Sequence, residues 1–280
     1  MSLDLDERQR AMLQEMGVHV WLPAAQVPEP HKVQAAPAAV QVPREEVRKA
    51  STVAIENIAI EAINTRGTVQ NHTETGLVEG IAGMDWPQLA QSVAACQACK
   101  LCVGRRAPVF GGATAPARAD WLVLGEPPDE AEERAGTPFA EQAGQLLDNM
   151  LKALGVSRTA GGADPRKIVY VSNVVKCRPA VVRNPEPQEL AACENYLRRE
   201  VALVQPKIIL ALGRFAAQSL LRESLPDVAG IPLGKLRGQV YRYQGIPVVV
   251  SYHPAYLLRT QQDKARAWVD LCLAQATIGS

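Results

Sequence analysis

The sequence predicts an α/β protein: a three-layer α/β/α sandwich around a short, mainly parallel four-stranded sheet, with a largely disordered N-terminal extension. Three observations predict it. Downstream of residue 85, apolar runs of strand length alternate with segments whose apolar residues recur at helical period. A helix-length segment separates each strand from the next, which is the connection that parallel strands require. Residues 1–84 lack that alternation.

Residues 4–21 read as a short amphipathic helix with Met12, Leu13 and Met16 on one side. From Leu22 to Pro43 the chain turns to Ala, Val, Gln and five prolines, the composition of an extended linker. Residues 44–80 are polar and contain no Phe, Trp or Tyr, so little order is expected there. The extension, residues 1–84, fits either an appendage without chemistry of its own or a docking segment for a protein partner. The folded domain, residues 85–280, opens at "MDWPQLAQSVAAC", where Asp85 suits an N-cap and Pro87 a first helical turn. Strands follow at "DWLVLGE", "KIVYVSNVV", "KIILALG" and "IPVVVSYH". The helices between and after them are "AGQLLDNMLKAL", "EPQELAACENYLRREVALV", "RFAAQSLLRE" and "QDKARAWVDLCLAQA".

The chain has 280 residues, 47% of them apolar, enough for a packed core. No apolar run is long enough to cross a membrane, and "MSLDLDERQR" is too charged for a secretory signal. A monomeric, cytoplasmic protein is expected, with reduced thiols; clustered cysteines then favour metal or redox chemistry over disulfides. The net charge of +1 conceals an asymmetry. Residues 1–85 hold seven Lys and Arg against twelve Asp and Glu, and residues 86–280 hold 23 against 17. The basic part is compatible with a phosphate-rich partner and equally with an ordinary solvated surface.

Ligands of doubly covered parallel sheets bind at the carboxyl ends of the strands. Those ends carry "GEPPDEAEERAGTPF", "SNVVKCRP" and "HPAYLL", so an acid, an amide, a phenylalanine and a histidine are expected in one crevice. His253 is the sole histidine after residue 85. A lone histidine is more often structural, but a place before proline at a strand end favours function. The sequence contains no GxxxxGK[ST], GxGxxG or GxSxG, which argues against a nucleotide-binding loop or a serine-hydrolase elbow.

The segments "GEPPDEAEERAGTPFAEQAG", "SNVVKCRP" and "YHPAYLL" resemble the motifs of family 4 uracil-DNA glycosylases, the iron–sulfur branch of that superfamily. The resemblance covers about residues 85–276. It implies a [4Fe-4S] cluster held by Cys96, Cys99, Cys177 and Cys193, which would staple the first helix to the sheet. Four cysteines suit zinc as well, and the residues alone do not separate the two metals. Cys102, the third cysteine of "CQACKLC", is then a spare packed nearby, and Cys272, between Leu271 and Leu273, belongs to the core.

The resemblance also implies that the protein flips uracil out of single- or double-stranded DNA and hydrolyses its N-glycosidic bond. His253 would donate to the uracil oxygen where charge builds, Asn173 would read the base edge, and Phe139 would stack on the ring. Glu126 would lie near the sugar or the attacking water, with Gly125 and Pro127 beside it. Tyr256 and Leu257 would fill the gap in the stack, while Leu258 and Arg259 would press on the groove or a phosphate. Lys176, Arg178, Lys235 and Arg237 are candidate phosphate contacts, with plain surface charge as the alternative. Laid over the first motif of family 1, Pro127 stands where those enzymes have a water-orienting aspartate.

Two positions depart from the family pattern. Asp129 replaces a glycine and is expected to approach C5 of the base, and Glu141 adds a negative charge near the DNA face. An unscreened Asp129 carboxylate would oppose the departing uracil anion unless it turned outward or paired with Arg134. The alternatives to a uracil-DNA glycosylase are therefore a catalytically weakened DNA-binding member of the fold and a glycosylase for another damaged base.

Overall fold

The structure is a computed structural model describing residues 80–111, 118–159, 164–179 and 183–279. The expected N-terminal helix and linker, and residues 1–79 of the expected extension, lie outside the described residues.

The first helix, α1 (Trp86–Ala95), begins as its sequence predicts. Asp85 caps it, accepting from Gln88 N at 2.9 Å while the Gln88 side chain accepts from Asp85 N. Then follow β1 (Trp121–Gly125), α2 (Glu130–Ala135), α3 (Glu141–Ala153), β2 (Val169–Asn173), α4 (Pro187–Val204), β3 (Ile208–Leu212) and α5 (Arg214–Leu221). The chain closes with α6 (Leu233–Leu236), β4 (Val240–Tyr243), β5 (Ile246–Ser251), α7 (Pro254–Arg259) and α8 (Lys264–Gly279).

The sheet has five strands in the order β2-β1-β3-β5-β4. The four expected strands are parallel to one another, and the fifth, β4, is antiparallel to β5 at the edge. This corrects the expected count of four. β4 escaped the apolar-run criterion because it is partly exposed and carries Arg242, as edge strands do.

Each inner strand sends alternate side chains to opposite helix layers. Leu122 and Leu124 of β1 pack with Trp86, Leu89, Leu197 and Leu220, from α1, α4 and α5. Trp121 and Val123 pack with Leu147, Met150, Trp268 and Leu271, from α3 and α8. Burial on both faces explains why these strands read as continuous apolar runs. Among the described residues, no helix is long and apolar enough to cross a membrane.

The register brings the chemistry to one edge. Gly125, the last residue of β1, pairs with Asn173, the last of β2. Leu212 of β3 pairs with Ser251 of β5. Glu126, Gly213 and the Tyr252–His253 pair therefore leave the sheet side by side.

Candidate functional site

The crevice at the carboxyl edge is built from the strand-end segments. Gly125 is required there by a close approach, since a Cβ at this position would lie 2.6 Å from Phe139 Cζ. Phe139, 1% exposed, stacks on His253 with ring centroids 5.2 Å apart and planes 21° from parallel. Pro127 is half-buried beside it.

Glu126 leaves β1 and turns its carboxylate to the start of α5, where Oε1 accepts from Phe215 N at 2.8 Å. Gly213 makes room, because a Cβ there would meet that oxygen at 2.2 Å. Burial pushes the Glu126 carboxyl up to about 7, against the pull of the Phe215 and Ala216 amides and of Arg214.

Asn173 is 1% exposed. Its Nδ2 donates to Glu126 O at 2.8 Å and to Glu132 Oε1 at 3.2 Å, while its buried Oδ1 has no partner among the described residues. Glu132 was not singled out in the sequence. It accepts from Asp129 N, Phe139 N and Asn173 Nδ2, so one buried carboxylate organises three site residues. The visible signal was its spacing: Asp129 and Glu132 form the capping box of α2.

His253 is the N-cap of α7, and its Nδ1 accepts from Ala255 N at 3.3 Å. That bond assigns the ring proton to Nε2. Burial lowers the His253 pKa to about 4, outweighing the opposing pull of Asp129, so the ring is neutral at physiological pH.

Asp129 is exposed and its side chain caps α2, accepting from Glu132 N at 2.8 Å. Of the two alternatives, turning outward and pairing with Arg134, the exposed Asp129 shows the first, and no ion pair with Arg134 is found among the described residues. Arg134 instead faces Glu130 at 3.7 Å and Glu141 at 3.5 Å, so the second unusual acid has a positive neighbour.

The "HPAYLL" segment forms the N-cap and the first five residues of the short helix α7. Leu257 is wholly buried in the core, which corrects its assignment as a filler of the base stack. Tyr256 donates to Asp263 Oδ2 at 2.6 Å and stacks on Tyr252. The large apolar side chain that α7 presents to solvent is Leu258, 38% exposed, with exposed Arg259 after it.

Three of the four candidate phosphate contacts are engaged within the protein. Arg178 pairs with Glu133 at 2.9 Å and Arg237 with Asp270 at 2.7 Å, and Lys176 pairs with Glu200 inside the fold. Lys235 is exposed on α6.

Away from the crevice, Cys96, Cys99, Cys102, Cys177 and Cys193 all line one cavity. Cys96 ends α1, and Cys193 sits in the second turn of α4. Arg105 Nη1 donates to Cys177 Sγ at 2.8 Å, and Lys176 N donates to Cys193 Sγ at 3.3 Å. Burial raises the Cys99 and Cys177 thiols and pushes Cys193 up to about 12. A thiolate in this cavity therefore requires a strong positive partner. Among the described residues, no three Cys, His, Asp or Glu side chains are grouped so as to hold a single metal ion. Cys272, on α8, is half-buried and packs against the core.

A twisted parallel sheet covered on both faces, with a glutamate, an amide, an aromatic ring and a neutral histidine gathered at its carboxyl edge, is the architecture of an α/β enzyme. The family described as the uracil DNA glycosylase superfamily matches residues 112–276. The type-4 uracil-DNA glycosylase of Thermotoga maritima is 34% identical over 181 residues, 64% of this chain and 85% of that protein. That of Pyrobaculum aerophilum is 34% identical over 194 residues, 68% of this chain and 93% of that protein. That of Archaeoglobus fulgidus is 36% identical over 149 residues, 52% of this chain and 70% of that protein. The chain belongs to the uracil DNA glycosylase superfamily and is a glycosylase.

Proposed function

We propose that the protein removes uracil from DNA by flipping the nucleotide into the edge crevice and hydrolysing its N-glycosidic bond, the first step of base-excision repair. The observation that carries this is the buried, unpartnered Oδ1 of Asn173. Both hydrogens of its amide nitrogen are committed to Glu126 O and Glu132, so the amide offers the base an acceptor. Uracil carries a hydrogen at N3, where cytosine carries a lone pair, and an acceptor there selects uracil. Phe139 supplies a flat apolar face for the ring. Neutral His253, with its proton on Nε2, donates to the uracil oxygen as negative charge builds. Glu126, ionised above about pH 7, stabilises the positive charge on the sugar and orients water. Leu258 and Arg259 face the duplex as wedge and phosphate contact, and Lys235 adds a second phosphate contact.

The test is release of uracil from a labelled single-stranded oligonucleotide holding one uracil, followed by alkaline cleavage at the abasic site. No cleavage by folded, metal-loaded protein overturns the reading.

The Cys96, Cys99, Cys177 and Cys193 set would hold a [4Fe-4S] cluster, and Arg105 and Lys176 N, which donate to Cys177 Sγ and Cys193 Sγ, would support those two thiolates. Four cysteines lining one cavity are the donor set that a [4Fe-4S] cluster takes. Through the cluster, these cysteines would tie α1, the β2 exit and α4 together. Purified protein should contain about four iron atoms per chain. Cys193→Ser should lose iron, colour and thermal stability, and Cys102→Ser should keep all three. One zinc per chain, or iron loss in Cys102→Ser, would overturn the assignment.

Asp129 supports a second reading, a weakened DNA-binding member, because its charge acts on His253. Its exposure limits the penalty to about 1 kcal/mol, or roughly fivefold in rate. Asp129→Gly should therefore raise excision up to about fivefold, with only a few tenths of a kcal/mol lost from the cap. An unchanged rate sinks the repulsion, and a wild-type protein without activity beside an active variant establishes the second reading.

A further inference from the structure

Lys176 has the position of a phosphate contact in the sequence and the environment of a core residue in the fold. It is 2% exposed, and Glu200, from α4, is fully buried. Lys176 Nζ makes three hydrogen bonds: to Glu200 Oε2 at 2.6 Å, to Ser172 Oγ at 2.6 Å and to Asn173 O at 3.0 Å. Those three acceptors match the three hydrogens of an ammonium group. Glu200 is held in turn, accepting from Tyr170 OH at 2.7 Å and from Ser172 Oγ at 3.0 Å. The main chain of Lys176 is pinned as well. Its N–H donates to Cys193 Sγ, and its carbonyl accepts from Val109 N at 2.6 Å.

Desolvating two charges costs several kcal/mol per ion, so such a pair is a poor source of stability against an apolar substitute. What this pair does accomplish is geometric. It closes the turn that leaves β2 by binding the carbonyl of Asn173, whose side chain faces the crevice from the other end of the same residue. The cage also spans the two sites, since Lys176 touches Cys193 with its backbone and Asn173 with its ammonium group.

We propose that Lys176 and Glu200 are positioning residues for base recognition, fixing the β2 exit so that the Asn173 amide meets the flipped base. The proposal rests on the reading of Asn173 as the base-reading group. Small displacements of a recognition group cost as much as about a hundredfold in rate.

The test is a double-mutant cycle in single-turnover uracil excision, with the iron content and melting temperature of every variant measured alongside. Lys176→Met with Glu200→Gln removes both charges together and leaves no buried charge unpaired. Glu200→Asp, which keeps the charge pair and shortens its reach, is the milder variant should the double change fail to fold. The expected result is a loss of about tenfold to a hundredfold at unchanged iron content. In an Asn173→Ala background the same change should cost less than about twofold, because a residue acting through Asn173 has nothing left to position. A full cost in that background shows a general structural role and overturns the proposal, as does a wild-type rate in the paired variant. If Asn173→Ala alone excises uracil at the wild-type rate, the reading of Asn173 fails instead, and the two failures are told apart.

Discussion

Replacing His253 with alanine is expected to lower uracil excision by about a hundredfold to a thousandfold, the cost of one preorganised donor aimed at developing negative charge. The structure gives three reasons to put the effect in the chemical step. The ring is oriented by the Ala255 N bond to Nδ1 and by stacking on Phe139, so the Nε2 proton has a fixed direction. Burial keeps the ring neutral down to about pH 4, so its donor strength does not change across the working range. In the proposed mechanism the His253 donation strengthens only as charge builds on the base, so KM should change little. The stability cost should combine the lost N-cap of α7, about 1 kcal/mol, with the lost stacking on Phe139, about 1 kcal/mol more. Single-turnover rates and a melting curve check both parts. A variant retaining more than a tenth of the wild-type rate would remove His253 from the mechanism. A titration limb near pH 6 in the wild type, absent from His253→Ala, would show instead that the ring charges during turnover.

The parts of this molecule that were legible in the sequence are those where burial leaves a local pattern. The four parallel strands are buried on both faces, and their continuous apolar runs announced them. Gly125, Glu126, Asn173 and His253 were legible as site candidates because each lies at a strand end, and the register of β1 with β2 then sets Gly125 opposite Asn173. The misses have physical causes of two kinds. Some signals were present but unused: Pro254 after His253 suits the first position of α7, and the Asp129–Glu132 spacing is a capping box. Other relations are not local at all. Lys176 and Glu200 are 24 residues apart, and only the packing of α4 on the sheet makes them a pair. Likewise, nothing in the sequence distinguishes Arg178 and Arg237, committed to Glu133 and Asp270, from Lys235 on the surface.

Uracil excision should rise with pH through a limb near 7, and that limb should belong to Glu126. Burial drives the carboxyl up from 4.5 to about 7, and the amides at the start of α5 with Arg214 only partly offset it. Only the ionised form stabilises a positive sugar, so the rate should climb as the proton leaves. Bound DNA phosphates would move the limb further up, and added salt would move it back. The stability of the free protein should show the opposite trend. The folded state holds this proton more tightly than the unfolded chain, so between about pH 4.5 and 7 folding binds a proton that must be lost as pH rises. Stability from this group is therefore greatest below about pH 4.5 and falls up to pH 7, by at most about 3 kcal/mol. Glu126→Gln separates the two effects. It should abolish the rising limb, leave a slow and pH-independent rate, and flatten the melting temperature over the same window, since a glutamine can still accept from Phe215 N. A limb that survives in Glu126→Gln would reassign the titration to a neighbour, and Glu132, also raised by burial, is the carboxylate that touches Asn173.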